Sequence, residues 1–200
     1  MSLVKKTFSK NRLGWTKTFK TGLCQDNEGE YLPWMPYSLI EYLDKNLKKD
    51  ESIFEYGFGT SSFYFAKKVT KVISVESNPK WHEIMLELSK ESKIDNIDTI
   101  LMTDALTNEK YENLVAEFTD QDPDFHGFDW IIVDSLKRSK CIKNSIRALK
   151  DGGKIILDDS QRSSYQKIRE FMIEEGFECL EFEDIAPGQL KSKKAWVFQR

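Results

Sequence analysis

The sequence predicts an α/β protein with a doubly wound, mostly parallel sheet of seven strands that ends in a C-terminal antiparallel hairpin. Two observations predict this class. Between residues 36 and 176, short apolar runs of strand length alternate with stretches whose apolar residues recur at the helical period. Beyond residue 176, two further apolar runs are separated only by a loop that contains Pro-Gly. Strands separated by helices form right-handed βαβ units and run parallel, whereas strands joined by a loop alone run antiparallel.

The size and composition of the chain are those of one compact domain. Its 200 residues are 40% hydrophobic and 32% charged, which suffices for a core without a metal or a disulfide. The 30 basic and 33 acidic residues are interspersed and leave a formal charge of −3. The charge pattern therefore demands no nucleic-acid partner, and the oligomeric state stays open.

Cysteine usage and the length of the apolar runs bear on the compartment. The three cysteines, Cys24, Cys141 and Cys179, lack the close spacing of a zinc site or a redox pair, which favours a reducing compartment. The apolar runs are far shorter than the ~20 residues of a membrane helix. The basic start of the chain is not followed by the apolar core of a signal peptide. We expect a cytoplasmic protein without a membrane partner.

The chain begins with a segment that has no clear period. Residues 1–35 mix lysine, threonine, asparagine and isolated aromatic residues, which predicts an irregular arm over the domain formed by residues 36–200. The first helix is predicted from Pro36 to about Lys49, because proline suits the first helical position. Its apolar face consists of Leu39, Ile40, Leu43 and Leu47.

The remaining elements follow from the same patterns. Parallel strands are predicted at residues 52–56, 71–75, 99–102, 128–133 and 154–157, and hairpin strands at 177–182 and 195–198. Helices are predicted from about residues 61, 79, 109, 137 and 163. In the second of these, a buried stripe is expected because apolar residues recur at helical spacing, at Trp81, Ile84, Met85 and Leu88. A turn is predicted at residues 150–153.

The first strand runs into a glycine turn and then a helix. Gly57 and Gly59 allow a tight bend and a close approach to a ligand, and Thr60 and Ser61 begin the helix. The free N–H groups and the dipole of a helix N-terminus favour negative charge, so a nucleotide-like ligand is expected. Ser62 stands where the dinucleotide fingerprint has its third glycine, which disfavours a nicotinamide cofactor. A plain strand-to-helix turn is the alternative.

The second strand ends in an acid. Glu76 is followed by Ser77 and by a helix that starts at Pro79. A carboxylate at this place can accept both ribose hydroxyls of an adenosine. Glu76 is therefore predicted to bind the cofactor, and a solvated loop acid is the alternative.

The stretch from Glu55 to Ser61 resembles the first motif of S-adenosylmethionine-dependent methyltransferases, Glu/Asp-x-Gly-x-Gly-x-Gly, with Ser61 in place of its last glycine. The order of strands and the terminal hairpin are also those of the class I, Rossmann-like members of that family. The resemblance implies S-adenosylmethionine as the cofactor, with Asp104 bonding the adenine amino group. It implies a set of cofactor-binding residues: Glu55, Gly57, Gly59, Thr60, Ser61, Glu76, Ser77, Asp104, Ala105 and Asp134.

Residues 32–37, 133–141 and 157–160 resemble a little-characterised bacterial branch of the same family, which often has glycine where this chain has Ser135. Trp34 and Tyr37 in the first of these segments are candidates to cover the acceptor pocket, or are core residues.

Methyl transfer needs alignment of two reactants more than an elaborate set of catalytic groups. Asp134, at the end of the fourth strand, is the predicted catalytic base for an oxygen acceptor, and Arg138 is expected to pair with it one helical turn on. Asp158 and Asp159 end the fifth strand and could converge with Asp134 on Mg²⁺ or Ca²⁺. Alternatively, one of Asp158 and Asp159 caps a helix and the other is solvated. No residue is therefore assigned as a metal ligand.

The sequence thus predicts a methyltransferase that acts on a small molecule or an exposed polar group. Two alternatives remain open: a methyltransferase-like binding or scaffold protein without turnover, and a nucleotide-dependent oxidoreductase. Cys141, His82 and His126 are interpreted as incidental to the chemistry.

Overall fold

A computed structural model describes residues 14–121 and 124–200. Its seven strands are β1 (Ser52–Tyr56), β2 (Lys71–Glu76), β3 (Ile97–Leu101), β4 (Phe128–Val133), β5 (Leu149–Asp158), β6 (Glu178–Ile185) and β7 (Ser192–Gln199). They form one sheet in the order β3-β2-β1-β4-β5-β7-β6. The first five strands are parallel, and β7 runs antiparallel to both of its neighbours. The predicted Rossmann-like α/β class and its terminal hairpin are confirmed.

Two helices precede the first strand, and the other five lie between successive strands. They are α1 (Trp15–Thr21), α2 (Tyr37–Asn46), α3 (Thr60–Ala66), α4 (Pro79–Glu91), α5 (Lys110–Gln121), α6 (Arg138–Ser145) and α7 (Gln166–Glu174). Short 3₁₀ turns follow α6 at Ile146–Ala148 and precede α7 at Ser163–Tyr165.

The expectation of an irregular arm is wrong at α1, which is a helix of seven residues. Gly14 and Gly22 flank it in the left-handed conformation, at φ 78° and 71°. Two turns of helix are too short to display a hydrophobic period, so the pattern gave no sign of it. Residues 1–13 of the predicted arm lie outside the described residues.

Side chains of the sheet are buried on both faces, as a doubly wound sheet requires. Alternation along β4 shows this directly. Ile131 and Val133 pack on one face with Phe54, while Trp130 and Ile132 pack on the other. The predicted face of α2 is buried with this second layer at Leu39, Ile40 and Leu43.

The predicted buried stripe of α4 is only partly confirmed. Met85 is fully buried, but Ile84 is 46% exposed. The helix covers the end of the sheet where β3 is the last strand, and much of β3 is itself only half-buried. Only a narrow stripe of α4 can therefore be enclosed.

The predicted turn at residues 150–153 lies inside β5, which starts earlier than expected. Phe128 pairs with Leu149, but Trp130 pairs with Lys154, so the residues between 149 and 154 bulge out of the ladder. Gly152, at φ 75°, adopts the backbone conformation that such a bulge needs. The sequence pattern thus predicted the turn at residues 150–153 but not that the turn interrupts β5.

The arm is held against the carboxyl edge of the parallel strands. The Trp34 indole donates to the Pro187 carbonyl at 2.6 Å, and the Trp15 indole donates to the Gln189 carbonyl at 2.8 Å. Both carbonyls belong to the loop between β6 and β7. In the part of the chain that is described, no helix is both long and apolar enough to cross a membrane.

Candidate functional site

A solvent-open cleft lies where β1, β2 and β4 end. Parallel α/β sheets bind ligands at this edge of the sheet. The residues that line the cleft come from the arm, from three strand ends and from the first turns of α3 and α4: Trp34, Gly57, Phe58, Gly59, Thr60, Ser61, Glu76, Trp81 and Asp134. The structure thus brings together six of the predicted cofactor residues.

The two glycines of the turn differ in backbone conformation and in the space around them. Gly57 has φ 121°, and a Cβ there would lie 3.2 Å from the Asp134 carbonyl oxygen, so the backbone itself requires glycine. Gly59 is extended, and the nearest atom to a Cβ there would be the Ser61 hydroxyl, at 3.8 Å. The protein therefore leaves the space above Gly59 open.

The turn is held by side chains on both sides. The Trp81 indole donates to the Phe58 carbonyl at 2.7 Å, and the Thr60 hydroxyl donates to the Leu32 carbonyl at 3.0 Å. Trp81 was interpreted from the sequence as a core residue, but here it forms a wall of the cleft.

Glu76 presents one carboxylate oxygen to the cleft. Its Oε1 accepts the backbone N–H groups of Ser77 and Asn78, both at 2.7 Å. Its Oε2 accepts only the Phe58 N–H, at 3.3 Å, among the described contacts. Since a carboxylate oxygen has two lone pairs, Oε2 can accept a further hydrogen bond.

Glu55 lies beneath the glycine turn and not in the lining of the cleft. It is fully buried, and the hydroxyls of Ser61, Ser62 and Ser74 donate to its carboxylate. Burial raises the pKa of Glu55 to about 8, although the serine hydroxyls act in the opposite direction. This buried acid thus ties the start of α3 to β1 and β2.

The three predicted acids at the ends of β4 and β5 do converge. One carboxylate oxygen from each of Asp134, Asp158 and Asp159 lies within 4.8 Å of the others. The expected pair is also present, with Arg138 Nη2 at 3.0 Å from Asp134 Oδ1. Arg138 Nη1 donates to the Asp158 carbonyl at 2.5 Å.

Lys193, which the sequence analysis missed, completes this charged cluster. Its Nζ lies 2.5 Å from Asp158 Oδ2 and 3.2 Å from Asp159 Oδ1. Although burial alone would lower the pKa of Lys193, Asp158 and Asp134 raise it above its ordinary value, so the lysine is charged. The sequence did contain a sign of this position. Side chains two residues apart in a strand share a face, so Lys193 lies on the same buried face of β7 as Ala195.

The backbone around the cluster is unusual. Asp159 and Lys137 have φ 54° and 49°, in the left-handed region that non-glycine residues seldom adopt. Such conformations persist where the surroundings hold them in place, and they concentrate at functional sites.

Other predicted residues lie outside the cleft lining. Asp104 is exposed and accepts the Asn108 side-chain amide at 3.0 Å, and Ala105 is buried in the core. Tyr37 is a fully buried core residue, in contrast to Trp34. Burial raises the pKa of the Cys141 thiol to about 12, which fits a packed side chain and not a nucleophile.

Solved structures share this architecture. A precorrin 8w decarboxylase from Methanobacterium thermoautotrophicum has a TM-score of 0.60 at 17% identity, over 82% of this chain and 88% of that chain. An rRNA methylase from Streptococcus thermophilus has a TM-score of 0.58 at 14% identity, over 84% and 98%. Aeropyrum pernix fibrillarin, solved with natively bound S-adenosyl-L-methionine, has a TM-score of 0.54 at 19% identity, over 80% and 74%.

The fold is that of the class I methyltransferases. No protein-family model matches the chain, and no curated protein matches its sequence. The likeness to a methyltransferase therefore concerns the fold, and the resemblance to a bacterial branch stays a prediction.

Proposed function

We propose that this protein binds S-adenosylmethionine in the cleft and transfers its methyl group to an acceptor beside Asp134. The observation that carries the proposal is the meeting of the glycine turn, the accepting oxygen of Glu76 and the Asp134 carboxylate in one cleft. The methyltransferase fold supports it, as does the cofactor in the fibrillarin structure.

In this proposal a ribose hydroxyl donates to Glu76 Oε2, which can accept one hydrogen bond in addition to that from the Phe58 N–H. The methionine part lies over Gly59, where no protein atom fills the space. Asp104 and Ala105 stay the predicted contacts of the adenine. Glu55 acts as a positioning residue, because it holds Ser61 and Ser62 from below.

The reaction is an in-line displacement. The acceptor's lone pair forms a bond to the methyl carbon as the carbon–sulfur bond breaks and its electron pair returns to sulfur. The acceptor then carries a surplus proton. Asp134, whose side chain is 29% exposed, can take that proton from an oxygen acceptor. Trp34 forms the wall of the cleft on the acceptor side.

We infer that the acceptor is a small molecule or an exposed polar group. The formal charge of −3 and the interspersed lysines support this over a nucleic-acid substrate. The fold itself does not decide the acceptor, since one structural neighbour is an rRNA methylase and another a precorrin enzyme.

Calorimetric titration tests the cofactor assignment. S-Adenosylhomocysteine should bind the parent protein, and NAD should not. Glu76→Ala should weaken the binding by about 1.5–3 kcal/mol, which is about 10- to 150-fold, because a charged hydrogen bond to the ribose is lost. Glu83→Ala, an exposed glutamate on α4, is the matched control and should bind as the parent does.

Binding of NAD in place of S-adenosylhomocysteine would contradict the proposed function. If Glu76→Ala binds S-adenosylhomocysteine as tightly as the parent does, Glu76 does not bind the ribose, but the proposed cofactor stands.

A further inference from the structure

The acid cluster at the ends of β4 and β5 has the ligands of a divalent cation site. Carboxylate oxygens of Asp134, Asp158 and Asp159 lie within 4.8 Å of one another, and Mg²⁺ or Mn²⁺ prefers such oxygens. The space around these oxygens, however, is shared with the ammonium of Lys193.

The ammonium has three oxygens around it. Lys193 Nζ lies 2.5 Å from Asp158 Oδ2, 3.2 Å from Asp159 Oδ1 and 2.7 Å from the Trp34 carbonyl oxygen. Of these three contacts, the one to the Trp34 carbonyl is a hydrogen bond, and the two to the carboxylates are ion pairs. Lys193 is therefore held in place and is not a side chain that swings freely in solvent.

The burial of Asp158 makes the ammonium of Lys193 necessary. Asp158 is fully buried, and neither of its carboxylate oxygens has a hydrogen bond of good geometry among the described residues. Burial and the neighbouring Asp134 raise the pKa of Asp158, whereas Lys193 acts in the opposite direction, because a buried carboxylate is tolerated only with a compensating charge. Lys193, itself 8% exposed, is the cation next to that carboxylate, since Arg138 contacts the carbonyl of Asp158 and not its carboxylate among the described contacts.

We propose that Lys193 is the resident cation of this cluster, standing where a divalent metal ion would bind, and that the protein therefore works without a metal at this site. Mg²⁺ would need these oxygens at about 2.0–2.1 Å, which would place two like charges side by side. The residues present thus do not fit a metal. Lys193 also links the acids to the backbone of Trp34.

This inference does not depend on methyl transfer, because Mn²⁺ binding is measured without cofactor or acceptor. Mn²⁺ would be titrated into the full chain, with the free ion followed by electron paramagnetic resonance. The parent should show no stoichiometric site. Lys193→Ala should bind Mn²⁺ about tenfold more tightly or better, since the competing charge is gone.

The neighbouring Lys194 provides the matched control. It lies on the same strand but pairs with Glu181 and Glu183 at the surface, so Lys194→Ala should bind Mn²⁺ no better than the parent. Adding Asp159→Asn to Lys193→Ala should abolish the gained site, which would locate the ion at the cluster.

Two results would overturn the proposal: stoichiometric Mn²⁺ binding by the parent as tight as by the variant, or no gain in Lys193→Ala. If Lys193→Ala does not fold, Lys193→Met replaces it, because methionine fills much of the volume without the charge. The titration of the parent protein shows whether it has a stoichiometric Mn²⁺ site, whichever variant is used.

Discussion

Replacement of the buried acid Glu55 by glutamine should change how the stability of the protein depends on pH. Burial raises the pKa of Glu55 from an ordinary 4.5 to about 8 in the folded chain. The folded state then holds a proton that the unfolded state releases. This contribution to stability is complete below the unfolded pKa and is lost as the pH rises through the folded pKa. At about 1.4 kcal/mol per pKa unit, the full contribution is about 3–5 kcal/mol, of which about 3 kcal/mol disappears between about pH 5.5 and about pH 8.

Urea unfolding at these two pH values measures the effect. The free energy of unfolding of the parent should fall by about 3 kcal/mol more than that of Glu55→Gln, which has no proton to lose. Glu112→Gln is the control. Glu112 is also buried, but hydrogen bonds from Lys137 and Lys140 outweigh that burial and lower its pKa, so it is ionised throughout this range. Its variant should be less stable yet keep the parent's pH dependence. Equal pH dependence in the parent and in Glu55→Gln would refute the reasoning.

Three further predictions concern the cleft. Gly57→Ala should lower the free energy of unfolding by about 1–3 kcal/mol, because alanine resists φ 121°. Gly59→Ala should fold normally in thermal unfolding and yet bind S-adenosylhomocysteine more weakly in calorimetry; normal affinity would mean that no ligand lies over this position. Asp134→Asn should lower turnover of an oxygen acceptor by about 10²–10⁴-fold, followed as S-adenosylhomocysteine release, with much less change in cofactor affinity. Normal turnover would remove Asp134 from the chemistry.

The elements of the sheet could be predicted because burial on both faces leaves a simple pattern. The limits of β1 and β4 agree with the prediction residue by residue, since each is a short, mostly apolar run with a polar or glycine boundary. The glycine turn and Glu76 were found for the same reason, as they follow directly from recognisable strand ends. Asp134 and the acids of β5 were placed correctly at one edge by parallel topology alone.

What could not be predicted depends on contacts between distant parts of the chain. The sequence left Trp34 as a candidate either for the acceptor pocket or for the core, and its position depends on a hydrogen bond from its indole to the Pro187 carbonyl, 153 residues away in sequence. Glu55 matched a cofactor motif, but the pattern could not tell whether its carboxylate faces a ligand or lies under the turn. Three serine hydroxyls, two of them from α3 and one from β2, decide that question in the fold.

The antiparallel hairpin explains why a lysine from the C-terminal strand reaches the acids. Asp158 at the end of β5 pairs with Ala195, near the start of β7. A parallel β7 would bring its last residues to this edge and leave its first ones at the opposite edge of the sheet. Reversal of the strand instead places Lys193, two residues before Ala195 and on the same face, beside Asp158 and Asp159. The terminal hairpin thus supplies the charge that compensates a buried acid at the ligand edge, in addition to closing the sheet.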